Sequence, residues 1–201
     1  MAGEFGDPLG SAYGARGYIK STNQSLPPQD TTSHSLQSFR VVQSDGTGNS
    51  IEVGWVVGWA WGNWYTSPHM FVALDIPNGG RNSQIVGPAV GQTTAWYEVW
   101  WNASNEYWAV RANHGGTLLW SGHQAAGTPG AGDLEAMGEV SGNATAMSGV
   151  FEGDKSPNVA ELGYADYGGT TWHAWWPPGA LCSDPGYYSS GDEQVITDGN
   201  S

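Results

Sequence analysis

One carboxylate stands inside a strongly apolar, strand-like run of the sequence. Residues 50–57 read SIEVGWVV, and strand alternation predicts a core face made of Ile51, Val53, Trp55 and Val57. Glu52 falls on the opposite face, where a glutamate is unusual because it has low strand propensity and resists burial. Gly54 follows it on that face. We expect Gly54 to leave open space beside the carboxylate, since a strand glycine marks the close approach of a ligand or another backbone.

A second apolar run carries glutamates in the same alternating way. Residues 133–140 read DLEAMGEV, which predicts a core face made of Leu134, Ala136, Gly138 and Val140. Glu135 and Glu139 share the other face. If the two strands belong to one sheet, Glu52 meets Glu139 or Glu135 across it.

Paired glutamates of this kind have a defined chemistry. Two carboxylates that face each other cannot both ionise easily, so the pair shares a proton near acid pH. The pair then offers a general base for water and a donor for a developing oxyanion. The alternative is that these glutamates are solvated side chains on the exposed faces of half-buried strands. Alternation taken alone favours that alternative.

The sequence contains no motif for metal-dependent, serine or cysteine catalysis, or for phosphate binding. The five histidines show none of the spacings that metal sites use. A GxSxG elbow, a Cys/His signature and a phosphate-binding glycine loop are also missing. We therefore expect neither a metal nor a cofactor.

Three aromatic clusters leave two interpretations open. They read GWAWGNWY at 58–65, WYEVWW at 96–101 and WHAWW at 172–176. Alternate members are expected to pack inward, since tryptophan is mostly buried. The others are free to form a platform for sugar rings or for a proline-rich peptide.

Charge and cysteine content limit the partners and the compartment. The 201 residues include 6 Lys+Arg against 19 Asp+Glu, a formal net charge of −13. This balance excludes the basic footprint that nucleic acids and anionic membranes require. Cys182 stands alone, so no intrachain disulfide is expected. The composition, with Asn-x-Ser/Thr triplets at Asn23, Asn102 and Asn143, predicts a secreted, extracellular protein that acts as a monomer.

Short runs of β-branched and aromatic residues alternate with Gly, Pro, Asn and Asp, without a 3.6-residue period. This predicts an all-β fold, an antiparallel sandwich or barrel. We expect one domain at residues 12–180, a linker or disordered N-terminus at 1–11 and a peripheral or disordered tail at 181–201. The predicted strands are 13–21, 36–43, 50–57, 70–76, 83–86, 94–102, 106–112, 117–120, 133–140, 145–151, 159–164 and 171–176.

Several motifs occur in an order that resembles one family. The segment SLQSFRVVQSDGTGNSIEVGWVV, at 35–57, is similar to the strand and Ile-Glu-x-Gly-Trp motif of neprosin-family proteins. YGARGYIK upstream resembles the opening strand of that family, and SPHMFVAL resembles its Pro-x-Leu-Phe-Val strand. LEAMGEVSGNATAMSGVFEGD resembles the Glu-Trp-Gly-Gly-Glu-Val segment, although Ala136 and Met137 replace the Trp and the first Gly. The resemblance covers about residues 12–178.

The resemblance implies a β-sandwich of two antiparallel sheets and a glutamic endopeptidase that cleaves next to proline at acid pH. By motif match, the catalytic glutamates are Glu52 and Glu139, while Glu135 is a substrate-binding residue and the fallback for the pair. The implied partner is a peptide or protein substrate, including proline-rich ones. Two alternatives stay open: a carbohydrate-binding sandwich with exposed tryptophans, and an inactive binding domain of the same fold.

Overall fold

The computed structural model describes residues 3–21, 33–43, 49–76, 81–90, 93–114, 117–125, 132–141, 149–152, 163–167, 170–174, 181–182 and 194–196. Their regular structure consists of β-strands, all paired antiparallel in two sheets. Among these residues there is no helix that could span a membrane. The predicted all-β antiparallel sandwich is confirmed.

The first sheet has seven strands in the order β14-β1-β10-β3-β4-β5-β6. Its strands are β1 Gly3–Ala12, β3 His34–Gln43, β4 Ser50–Ala60, β5 Asn63–Ile76, β6 Arg81–Ala89, β10 Gly132–Ser141 and β14 Leu181–Cys182.

The second sheet has eight strands, six of them in the order β13-β12-β2-β7-β8-β9, with β11 paired to β2 and β15 paired to β11. Its strands are β2 Gly14–Lys20, β7 Thr94–Asn102, β8 Tyr107–His114, β9 Thr117–Ala125, β11 Gly149–Glu152, β12 Gly163–Ala165, β13 Trp172–Ala174 and β15 Gln194–Ile196.

The core lies between the two sheets. Phe39, Val53 and Trp55 from the first sheet join Tyr97 and Val99 from the second in one cluster of fully buried side chains. Removing this apolar surface from water is the main favourable term that holds the sheets face to face. The opposite face of each sheet is therefore the outer face of the sandwich.

Both chain ends contain paired strands that lie outside the strands predicted from the sequence. The predicted linker at 1–11 lies largely in β1, which pairs with β10 in the first sheet. The predicted tail at 181–201 contributes β14 beside β1 and β15 beside β11. These strands are held by pairing with distant segments, which a local pattern rich in Gly, Pro and Asp does not reveal.

The β4–β5 hairpin extends further than the predicted strands at 50–57 and 70–76. Trp61 and Gly62 form its tip with φ angles of 48° and 80°. Positive φ at both central residues is the geometry of a type I′ turn, which matches the twist of the flanking strands. Gly58, with φ 99°, lies where the register of the hairpin shifts.

Candidate active site

The two faces of β4 separate as the alternation predicted. Ile51, Val53, Trp55 and Val57 are buried in the core between the sheets. Glu52 is half-buried on the outer face of the seven-stranded sheet. The sequence-based assignment of Glu52 to a non-core face is confirmed.

The strands that carry the candidate glutamates belong to one sheet, with β3 between them. Glu52 on β4 lies directly opposite Arg40 on β3, and Arg40 lies directly opposite Glu135 on β10. Directly opposed residues share a face, so the three positions form one row across the outer face. Two strand spacings separate the Cα atoms of Glu52 and Glu135, which is about 10 Å.

Glu139 occupies another level of the same sheet. It lies opposite Leu36, which in turn lies opposite Val56. Along the strands this row is displaced by about 14 Å from the row of Glu52, so the Cα atoms of Glu52 and Glu139 are about 17 Å apart. The register therefore brings Glu135, and not Glu139, level with Glu52.

Gly54 does not open space beside Glu52, contrary to the expectation. A Cβ atom built at Gly54 would lie 1.9 Å from the carbonyl oxygen of Gln37 and 2.7 Å from the Cα atom of Ser38. The glycine is thus required by the close approach of the β3 backbone. A strand glycine can mark the close approach of a ligand or of another backbone, and at Gly54 it is another backbone that approaches.

Ser38 provides a contact to Glu52 that the sequence did not indicate. Its hydroxyl donates a hydrogen bond of 2.5 Å to Oε1 of Glu52. Ser38 is fully buried and lies directly opposite Gly54, so its hydroxyl reaches diagonally to the neighbouring row. Alternation places Ser38 on the outer face, but only the β3–β4 register reveals its partner.

An apolar wall adjoins this polar row on the outer face. Phe71 and Val56 are fully buried there, although they face away from the main core. The ring of Trp61 packs on Phe71 with centroids 5.0 Å apart, and the ring of Tyr65 lies 4.9 Å from that of His69. The complete wall consists of Leu36, Val56, Ala60, Phe71, Trp61, Tyr65, Ala73 and Val86.

The eight-stranded sheet carries a second polar row on its own outer face. Glu98 is only 3% exposed and pairs with Arg111. The Arg16 guanidinium lies over the rings of Trp172 and Trp96, 4.3 and 5.4 Å from their centroids.

Burial lowers the pKa of Arg16 and repulsion by Arg111 adds to this, while attraction by Glu98 opposes it. Arg111 in turn lies 5.5 Å from the ring centroid of Trp100. The guanidinium groups of Arg16 and Arg111 thus cover ring faces of these tryptophans. A sugar that stacked on the rings would need the same faces. In the part of the chain that the structure describes, no group of three or more potential ligands is placed to hold a metal ion.

Two solved structures match almost the whole chain. Scytalido-glutamic peptidase with a transition state analog inhibitor aligns with a TM-score of 0.61 and 10% identity, over 98% of this chain and 96% of that one. The same enzyme with a peptide-based transition state analog gives 0.57 and 7%, over 98% and 97%. The chain therefore has the β-sandwich fold of glutamic peptidases.

A carbohydrate-binding module of a Ruminococcus gnavus sialidase, bound to α2,3-sialyllactose, aligns at a TM-score of 0.36 and 11% identity, over 67% of this chain and 74% of that one. A likeness this low carries no argument. No protein-family model matches the chain, and no curated protein sequence matches it either.

Proposed function

We propose that this protein is an endopeptidase that hydrolyses peptide bonds at acid pH with a pair of glutamates. The observation that carries the proposal is the row of Glu52, Arg40 and Glu135 across the outer face of the seven-stranded sheet. The fold adds support, because the two solved structures that share it contain a glutamic peptidase with transition state analogues.

The reaction needs one ionised and one protonated carboxyl group. The ionised glutamate takes a proton from water while the water oxygen attacks the scissile carbonyl carbon. The protonated glutamate donates to the carbonyl oxygen as it becomes an oxyanion. When the C–N bond breaks, the first glutamate gives the proton it took from water to the leaving amine, and the second regains its proton as the C=O bond re-forms, so both return to their starting states. Water supplies the nucleophile, so no covalent intermediate with the protein forms.

Glu135 is the better partner for Glu52 than Glu139. The motif match assigned Glu139 to the pair and Glu135 to substrate binding, but the two lie on the same face of β10 and alternation cannot distinguish them. The register favours Glu135, because a gap of about 17 Å between the Cα atoms of Glu52 and Glu139 is long for carboxyl groups that share one water. Glu139 is then a candidate for substrate contact four residues further along β10.

The apolar wall beside Glu52 fits a substrate residue that is apolar and conformationally restricted. Aromatic-lined grooves recognise proline-rich segments, whose extended conformation is already formed before binding. The ring of Trp61 packs on Phe71, one row from Glu52, and the ring of Tyr65 lies beside His69, two rows from Glu52. We therefore propose cleavage next to proline. Work at acid pH also fits the scarcity of Lys and Arg, since such a chain gains little positive charge when its carboxylates protonate. We further propose that the protein is an extracellular monomer.

Digestion of a peptide library at several pH values tests the proposal. We expect wild-type protein to cleave best near pH 3–4, about where glutamates titrate, with cuts enriched next to proline. Glu52→Gln should remove cleavage while the fold, followed by circular dichroism, persists. Cleavage by folded Glu52→Gln at the wild-type rate would refute the proposal. Polysaccharide binding without any peptide cleavage would favour the carbohydrate-binding alternative.

A further inference from the structure

Ser38 is a buried hydroxyl that shares the outer face of the sheet with Glu52. It has no exposed surface, and its hydroxyl donates to Glu52 Oε1 at 2.5 Å. Most buried hydroxyl groups are bonded within the protein, because a lost partner cannot be replaced by water. Water does not compete for the Ser38–Glu52 hydrogen bond, as it would for an exposed one, so we expect the bond to persist in the folded protein.

The residue opposite Ser38 allows this contact. Gly54 faces Ser38 across the β3–β4 pair and carries no side chain, and the β3 backbone leaves no room for one. On the β4 side Ser38 thus has no cross-strand side chain to pack against, while on the β10 side it lies opposite Met137. Its hydroxyl turns instead to the diagonal neighbour, Glu52.

A glutamate that takes part in proton transfer gains from such an anchor. Its flexible side chain otherwise samples many rotamers, and small displacements of a reacting group reduce rates steeply. With Oε1 held by Ser38, the plane of the carboxyl group is restrained and Oε2 keeps a defined position relative to the row that includes Arg40 and Glu135.

We propose that Ser38 is a positioning residue that holds the Glu52 carboxyl group in its working orientation. This inference rests on the proposed peptidase function. It assigns Ser38 no contact with the substrate, so its loss should affect the chemical step and not substrate affinity.

Steady-state kinetics of matched variants test the proposal. Ser38→Ala and the nearly isosteric Ser38→Cys should lower kcat by about 10- to 100-fold and leave KM within about twofold, the size of effect that a misplaced reacting group produces. Ser38→Thr restores a hydroxyl and should recover most of the rate. Ser50→Ala is the control, because Ser50 is also buried and lies two residues from Glu52 on the same strand face. A Ser38→Ala enzyme with wild-type kcat, or one no worse than Ser50→Ala, would overturn the proposal.

A crystal structure of the wild-type protein tests the same contact without relying on activity. The proposal requires the Ser38 hydroxyl within hydrogen-bond distance of Glu52, and it requires a changed Glu52 rotamer in crystals of Ser38→Ala. A Ser38 hydroxyl bonded elsewhere, or an unchanged Glu52 in Ser38→Ala, would overturn it. If wild-type protein cleaves no peptide at any pH, the peptidase function fails, and the crystals still decide whether Ser38 orients Glu52.

Discussion

Arg40 lies directly opposite Glu52 in the pairing of β3 with β4. On its other side it lies directly opposite Glu135 in the pairing of β3 with β10. A permanent cation therefore occupies the centre of the row that carries the candidate catalytic pair. In the proposed peptidase the two carboxyl groups must hold a single proton between them, so this cation would influence the pH at which the pair works.

Replacing Arg40 with glutamine should move the pH–activity profile upward. A cation beside a carboxylate favours its ionised form, so without Arg40 each glutamate keeps its proton to higher pH. Both limbs of the profile should then move to higher pH. Arg40→Lys should keep the wild-type profile, and Arg81→Gln in the edge strand β6 controls for net charge. Cleavage rates from pH 2 to 7 measure the shift, and an unmoved profile would contradict this role.

Gly54→Ala should prevent normal pairing of β3 with β4. The new methyl group would lie 1.9 Å from the carbonyl oxygen of Gln37, so the strands would have to separate. We expect a loss of more than about 3 kcal/mol in the free energy of unfolding, measured in urea. Gly62→Ala is the control, since nothing lies within 4 Å of its Cβ position and only its φ of 80° is unfavourable. That variant should lose about 1 kcal/mol. Equal losses would show that the close approach at Gly54 does not exist.

Tyr97→Phe should maintain or raise stability at neutral pH. The Tyr97 hydroxyl is buried and has no hydrogen-bond partner among the described residues, so its removal should cost nothing and gain up to about 2 kcal/mol. A loss of more than about 1 kcal/mol on this substitution would reveal a hidden partner.

Tyr97 should also determine part of the alkaline instability. Burial raises the pKa of its hydroxyl well above the usual range. Below pH of about 10 the tyrosine is protonated in both the folded and the unfolded chain, so its contribution to stability is constant. Above that pH the unfolded chain releases the proton more readily, and the free energy of unfolding falls by up to about 1.4 kcal/mol per pH unit. Denaturation of Tyr97→Phe between pH 9 and 11 should show a shallower decline than that of wild type, and parallel declines would contradict this.

The pair of Glu98 and Arg111 should be strongly coupled. Glu98 is 3% exposed, so Arg111→Met removes the ion-pair partner of a buried carboxylate; because Arg16 stays opposite Glu98, we expect a cost of about 1–3 kcal/mol. Adding Glu98→Gln removes that charge and should recover most of the loss. A double-mutant cycle in guanidinium chloride measures the coupling. Additive losses would mean that the pair does not interact.

The sequence predicted the face of the strand on which each glutamate lies. It did not predict which residues on the neighbouring strands lie opposite each glutamate. Alternation in residues 50–57 separated Glu52 from the core face because the side-chain period of a strand is 2. Glu135 and Glu139 differ by four positions and share a face, so the same rule cannot choose between them. The choice depends on how β10 pairs with β3, which lies far away in the sequence.

Contacts that cross strands were likewise invisible in the sequence. The bond from Ser38 to Glu52 and the need for Gly54 both come from the β3–β4 register and the closeness of the two backbones. β1 was missed because its residues have low strand propensity and gain their structure from pairing with β10. Local patterns thus predicted the fold class and most strands, while pairing between strands decides which residues meet.

The central claim is that Glu52 and Glu135 together hydrolyse peptide bonds. Its most direct test is the cleavage rate of a proline-containing peptide near pH 3.5, about where glutamates titrate, by folded Glu52→Gln, Glu135→Gln and Glu139→Gln proteins. The account predicts that Glu52→Gln and Glu135→Gln each lose at least about 100-fold, the usual contribution of general acid–base catalysis, while Glu139→Gln stays within about tenfold of wild type. Wild-type rates in Glu52→Gln or Glu135→Gln would contradict it.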